Sequence, residues 1–125
     1  MNKIKVKVET ANGKAIVGKS QTRNIRCAPR KVKLVVDLIR NKTVGNALDI
    51  LTFTHRPSAT PYVIRALKAA AASAAQKHPE PDSLVIGEAI VNCAPMLKRI
   101  RPASMGRAVR VRKRQTHLFL ALTEN

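Results

Sequence analysis

Residues 84–122, LVIGEAIVNCAPMLKRIRPASMGRAVRVRKRQTHLFLAL, decide the architecture of this chain. Leu84, Ile86, Glu88 and Ile90 alternate with Val85, Gly87, Ala89 and Val91, the period-two pattern of a β-strand. A turn-like stretch from Pro102 to Gly106 interrupts the pattern. Alternation then resumes in sharper form. Val109 and Val111 interleave with Arg110, Arg112 and Arg114, and Leu118, Phe119 and Leu120 follow. Two long strands around a Pro/Gly tip describe a β-hairpin.

The length of this hairpin is informative. Leu84 to Ile100 is 17 residues, roughly 55 Å at ~3.3 Å per residue. A compact domain of 125 residues has a radius of gyration of about 13–14 Å, hence a diameter near about 35 Å. The distal half, Lys98 to Arg114, must therefore leave the globule. An isolated two-stranded ribbon is marginal in water, so the arm needs a negatively charged surrounding to order it.

The charge distribution points the same way. Lys and Arg number 24 against 7 acids, a net charge of +17. Residues 1–42 hold 12 basic and 2 acidic residues, and residues 43–95 hold 4 of each. Residues 96–114 hold 8 basic residues and no acid. A neutral middle lies between two basic ends. Such a charge would make a free globule repel itself, which implies a polyanionic partner.

Outside the hairpin the chain reads as strand, then helices. Lys3, Lys5 and Lys7 alternate with Ile4, Val6 and Val8, and Asn12-Gly13 is a turn signal. Ala15 to Val17 extends or pairs, and Thr22 to Cys27 is extended. Pro29 opens a first helix, whose Val32, Val35, Val36 and Ile39 form an apolar stripe and whose stop is Asn41. Thr43 is positioned to cap a second helix, with Val44, Ala47, Leu48 and Leu51 at the same spacing. Thr60-Pro61 starts the third and longest helix, buried through Val63, Ala66, Leu67, Ala70 and Ala74. Its alanines from Ala69 to Ala75 favour helix and admit a close neighbour. His78-Pro79 ends it.

Several function classes find little support. Cys27 and Cys93 lie far apart and belong to no Cys/His pair, so they read as reduced thiols and small apolar fillers rather than zinc ligands. No apolar run approaches the ~20 residues of a membrane helix. Phe53, Tyr62 and Phe119 are the only aromatics, too few for a protein that binds single strands mainly by base stacking. Glu80 and Asp82 sit among prolines and read as a solvated loop. His55 and His78 lie in loops. No phosphate loop, nucleophile motif or metal spacing appears, so neither catalysis nor a cofactor is expected.

Three stretches carry a resemblance. They are Arg26 to Arg40, containing Pro29-Arg30-Lys31-Val32; Ala47 to Leu51 followed by Phe53-Thr54; and Lys98-Arg99-Ile100-Arg101-Pro102, Gly106-Arg107-Ala108, Lys113-Arg114 and His117. In this order the chain resembles the family of ribosomal large-subunit protein twenty-two, bacterial type, from about Gln21 to Leu122. It departs from that pattern at Ala28, where a capping Ser is common, at Asn41 in place of a Gly, and at Ala103 in place of an Arg. Residues 1–13 look like an extension.

The resemblance implies an α+β fold: three helices packed on a small antiparallel sheet, with one long protruding β-hairpin. It implies a structural, non-enzymatic protein of the large ribosomal subunit, cytoplasmic or organellar. Its partners would be large-subunit rRNA, neighbouring ribosomal proteins and the nascent peptide in passing, with no membrane and no homo-oligomer. It also implies that the hairpin lines the nascent-peptide exit tunnel.

The expected organisation is an extension or first strand at 1–20, a globular RNA-binding body at 21–95, the basic hairpin at 96–114, and a return strand and C-terminus at 115–125. The candidate RNA ligands on the body are Arg26, Arg30, Lys31 and Lys33. On the hairpin they are Lys98, Arg99, Arg101, Arg107, Arg110, Arg112, Lys113, Arg114 and His117. The tunnel tip would be Arg101, Pro102, Ala103, Ser104, Met105 and Gly106. Arg and Lys would neutralise phosphates and release counterions, with Arg adding forked contacts. For each, the plainer reading is a solvated charge; for His117 it is a hydrogen-bonded ring, and for Met96 and Met105 it is packing. The competing function is an architectural DNA-binding protein using a basic β-ribbon.

Overall fold

A computed structural model describes residues 13–124. In chain order the elements are β1 (Ile16–Ile25), α1 (Pro29–Ile39), α2 (Val44–Phe53), α3 (Thr60–Ala75), β2 (Val85–Pro102) and β3 (Ala108–Thr123). Short 3₁₀ turns lie at Pro81–Ser83 and Ser104–Gly106. The class is the expected one, three helices on an antiparallel sheet of order β1-β3-β2. The expected strand over residues 3–8 and the Asn12 half of the turn fall outside the described residues.

β3 takes the centre of the sheet because its lower half is the most apolar strand in the chain. Leu118, Leu120 and Leu122 are fully buried, each stabilising the fold by roughly 1.5–3 kcal/mol. The helices cover this face. Val32, Val35, Val36 and Ile39 of α1, and Val63, Ala66, Leu67, Ala70 and Ala74 of α3, enter the core as their spacing required. The alanine-rich face lets α3 approach β1 closely. A Cβ built on Gly18 would lie 2.5 Å from the Ala74 Cβ and 2.7 Å from the Ala70 carbonyl oxygen. The Ser20 hydroxyl donates to the Ala66 carbonyl at 2.7 Å across the same interface.

The helix ends differ in detail from expectation. Ala28 flanks α1 without a side-chain cap, as its methyl group dictates. Asn41 follows α1 with φ +59°; this left-handed conformation explains the usual Gly there, and Asn tolerates it better than most residues. Thr43 occupies the N-cap of α2, yet its hydroxyl makes no cap bond. The cap of α3 is Ala59, not Thr60. Thr60 lies inside the first turn and its hydroxyl donates to the Thr54 carbonyl at 3.3 Å.

The unbroken alternation expected over 84–91 does not hold. Ile86 pairs with Leu122 and Glu88 with Ala121, so Gly87 is an extra residue on β2. This bulge reverses the strand's phase: Leu84 and Ile86 are buried, and the next buried residue is Ala89. A second irregularity falls between Ala94 and Leu97. It accommodates Pro95, which has no N–H for the ladder.

The strands of the body are joined to the β1–α1 link by a buried polar contact. The Thr116 hydroxyl, fully buried, donates to the Cys27 carbonyl at 2.6 Å. Thr116→Val is expected to leave that carbonyl unsatisfied and cost about 1–3 kcal/mol, read as a lower urea midpoint at constant slope. Cys27 is buried as expected of a filler, but Cys93 is exposed and fills nothing. Cys93 lies just before the second bulge, next to the buried Ala94 and opposite the buried Thr116.

Candidate nucleic-acid interface

β2 runs for 18 residues and β3 for 16. At ~3.3 Å per residue β2 is roughly 60 Å long, longer than the body is wide. From Lys98 outward all residues of β2 are exposed, as are those of β3 up to Arg110. Ile100 is 74% exposed and Met105 is 94% exposed, so plain packing does not describe Met105, and Met96 is exposed too. The ladder is continuous to the tip, ending at the Pro102–Ala108 pair. There the Ala103 N–H donates to the Arg107 carbonyl at 2.8 Å. Met105 and Gly106 are both left-handed, with φ +57° and +68°. Gly106 adopts that conformation freely, whereas Met105 bears a cost of roughly 1–2 kcal/mol.

Pairing assigns the cations to faces, because cross-strand partners share one. Lys98, Ile100, Arg110 and Arg112 lie on one side; Leu97, Arg99, Arg101 and Lys113 lie on the other with Val109 and Val111. Lys98 stands directly opposite Arg112, a like-charge pair that destabilises a ribbon standing alone. Among the described residues the ion pairs are Arg40–Asp37 and His78–Glu124, so no arm cation has a carboxylate partner.

The fold gathers part of the candidate set at the root of the arm. A cleft of about 520 Å³ is lined by Arg26, Lys31, Arg99, Arg112, Lys113 and Arg114, with Cys27, Ala28, Ser58, Leu97 and Gln115 completing it. It opens beside the uncapped N-terminus of α1, whose dipole adds positive potential. Arg30 and Lys33 are exposed on α1 but do not line this cleft. Lys98 and Arg110 border a second hollow on the other arm face, with Met96, Val111 and Arg112. Arg101 and Arg107 flank the tip, away from both. His117 is half-buried, and its Nδ1 accepts the Asn24 N–H at 3.1 Å. That bond places the neutral ring's proton on Nε2.

Sequence reasoning missed a second group of cations. Arg56, Arg65 and Lys68, with His55, border a cleft of about 600 Å³ between the end of α2 and the start of α3. The neutral charge of residues 43–95 concealed them. The spacing of Arg65 and Lys68, three apart on the polar side of α3, was the available signal.

Comparison with known proteins identifies the chain's relatives. The family described as Ribosomal protein L22p/L17e matches residues 20–123. The chain belongs to this family. It is also 50% identical over 107 residues to the large ribosomal subunit protein uL22 of Oceanobacillus iheyensis, covering 85% of this chain and 94% of that relative. This agrees with the bacterial type expected from Arg26–Arg40 and the arm motifs, and the matched span ends within a residue of the expected one on each side. As a member of the L22 family the chain is a structural protein of the large ribosomal subunit. Among the described residues no helix is long and apolar enough to cross a membrane, and no cluster of His, Cys, Asp or Glu could hold a metal.

Proposed function

We propose that this L22-family chain binds large-subunit, 23S-type rRNA during assembly and that its arm lines the nascent-peptide exit tunnel. One observation carries the RNA half: an exposed ribbon with eight cations and no acid over residues 96–114, with Lys98 facing Arg112 across the ladder. Dense external negative charge relieves that repulsion. Phosphates do so while releasing counterions, which supplies much of the binding free energy. Residues 21–95 act as the RNA-binding body, 96–114 as the arm and 115–125 as its anchor in the sheet, with 1–20 leading into β1. The cations of the root cleft hold backbone phosphates where arm and body meet. No step of bond-making is needed; the protein works by shape and charge.

The tunnel half rests on family resemblance and on the arm's reach. Tip residues Arg101 to Gly106 are exposed, and Met105 would present an adaptable apolar side chain to a passing peptide. Neighbouring ribosomal proteins complete the setting, in the cytoplasmic ribosome.

Arg110→Ala, Arg112→Ala and Arg114→Ala together test the RNA reading. The slope of log affinity against log salt for a 23S-type rRNA transcript is expected to become shallower by about 2–3, from ~0.7–0.9 per lost phosphate contact. An unchanged slope would remove these arginines from the interface. A preference of the wild-type chain for duplex DNA over that transcript at moderate salt would favour the architectural reading instead.

A further inference from the structure

The two edges of the sheet differ within the body. On the β2 side the link between α1 and α2 closes the edge. The Asn41 N–H donates to the Ile86 carbonyl at 3.2 Å, the Ile86 N–H to the Lys42 carbonyl at 3.0 Å and the Val44 N–H to the Leu84 carbonyl at 2.9 Å. On the other side β1 is the edge strand, and β3 is its one ladder partner among the described residues. It is 10 residues long and contains no proline. Such an edge is a template for a further strand.

The residues just before β1 suit that template. Lys3, Lys5 and Lys7 alternate with Ile4, Val6 and Val8, and Asn12-Gly13 follows. Asn-Gly is a preferred pair for the two-residue type I′ hairpin turn, which needs positive φ at both central positions. Gly13 has φ +72°, although nothing lies within 4 Å of where its Cβ would be. No packing imposes that conformation; a turn there does. The segment precedes residues 20–123, which match the family, so properties shared by the family do not account for it.

We propose that the open edge of β1 is a docking surface for the chain's own residues 3–11, which add to it as a fourth, antiparallel strand through a turn at Asn12-Gly13. The bulge in β1 fixes which side each residue takes. Gly18 pairs with Leu122 and Ile16 with Thr123, so Val17 is an extra residue. Val17 and Gly18 together then face Val8, which sets Val6 beside Ser20 and Ile4 beside Thr22. Ser20 and Thr22 pair with Leu120 and Leu118 and lie on the helix side of the sheet. The three apolar residues therefore meet the margin of α3. There the Ser20 hydroxyl bonds the Ala66 carbonyl, and Tyr62, Ala69 and Ser73 share the face of Ala66 at helical spacing. Tyr62 and Ser73 are half-buried and Ala69 is exposed, leaving apolar surface for Ile4, Val6 and Val8 to cover. Lys3, Lys5 and Lys7 fall on the opposite face, with Lys7 beside Lys19. That like-charge pair opposes docking, but on an open face salt screens it, whereas the apolar set sets the register. Docking closes the edge against pairing between copies, and it needs no RNA.

Amide hydrogen exchange on the full chain tests this. Only alternate N–H groups of an edge strand bond its neighbour, so an undocked β1 alternates between fast and slow exchange. With residues 3–11 in place both sets are expected to be slow. Deleting residues 2–11 is expected to restore the alternation, speeding the outward amides of β1 by about tenfold or more, the worth of a hydrogen bond, while β2 and α3 stay unchanged. Alternation already present in the full chain overturns the proposal. Two point variants test the sides. Val6→Asp is expected to act like the deletion, whereas Lys5→Asp is expected to leave β1 protected. Equal effects of the two overturn the assignment. Protection is also expected to rise with salt. Sedimentation identifies the occupant: protection of β1 that grows with protein concentration alongside a dimer assigns the edge to a second copy and overturns the proposal.

Discussion

Replacing Gly18 with alanine is expected to lower the stability of the fold by about 2–3 kcal/mol, the upper part of the range for an overpacked core. The added methyl would sit 2.5 Å from the Ala74 Cβ, 2.7 Å from the Ala70 oxygen and 2.9 Å from the Ala74 nitrogen. Two of these three atoms are helix backbone, so no rotamer change relieves the clash. Either α3 moves off the sheet, opening space around Ala66, Ala70 and Ala74, or β1 is displaced from β3. A thermal melt should show a drop of about 10 °C, from ~4 °C per kcal/mol for a domain of this size. A shift under about 2 °C would mean that α3 slides freely and that the contact is loose. Gly87→Ala offers a comparison. Its Cβ would lie 2.7 Å from both γ atoms of the buried, β-branched Thr123, which no χ1 rotation clears, but no helix backbone is among its three nearest atoms, so a loss of stability no larger than that of Gly18→Ala is expected.

The second large effect concerns the arm. Excising residues 98–112 and joining Leu97 to Lys113 through Asn-Gly closes the ladder at an existing cross-strand pair, with a turn sequence suited to a two-residue hairpin. Every removed residue but the half-buried Val111 is exposed. The urea midpoint is expected to change by less than about 1 kcal/mol equivalent, since no buried surface is lost and the closing loop is shorter. RNA binding should change far more. Lys98, Arg99, Arg101, Arg107, Arg110 and Arg112 leave together, so the salt slope should become shallower by roughly 4–5. A broad, non-cooperative unfolding transition in the shortened chain would show instead that the arm belongs to the core.

The two variants separate what could be read along the chain from what could not. The arm was legible because it follows from counting: a run of alternating residues longer than the body, with cations and no acids, has nowhere to fold back. The faces of α1 and α3 were legible because their apolar spacing is local. The caps were less so. Thr43 and Thr60 have cap chemistry, but whether a hydroxyl caps depends on where the chain enters the helix, and for Thr60 the preceding loop moved the start to Ala59.

The burial phase of β2 and the order β1-β3-β2 were not legible, and neither was the cationic cleft between α2 and α3. Each depends on contacts between residues distant in sequence. Gly87 becomes a bulge only because Ile86 and Glu88 find adjacent partners on β3. Arg56, Arg65 and Lys68 border one cleft only because the loop after α2 brings Arg56 beside the start of α3.

Composition and periodicity by themselves determined that this chain has three amphipathic helices, a protruding cationic hairpin and a need for polyanion, because those are properties of charge, spacing and length. Tertiary structure alone decided which cations share a cleft, since a net charge summed over a segment carries no information about the direction in which its side chains point once the backbone is packed.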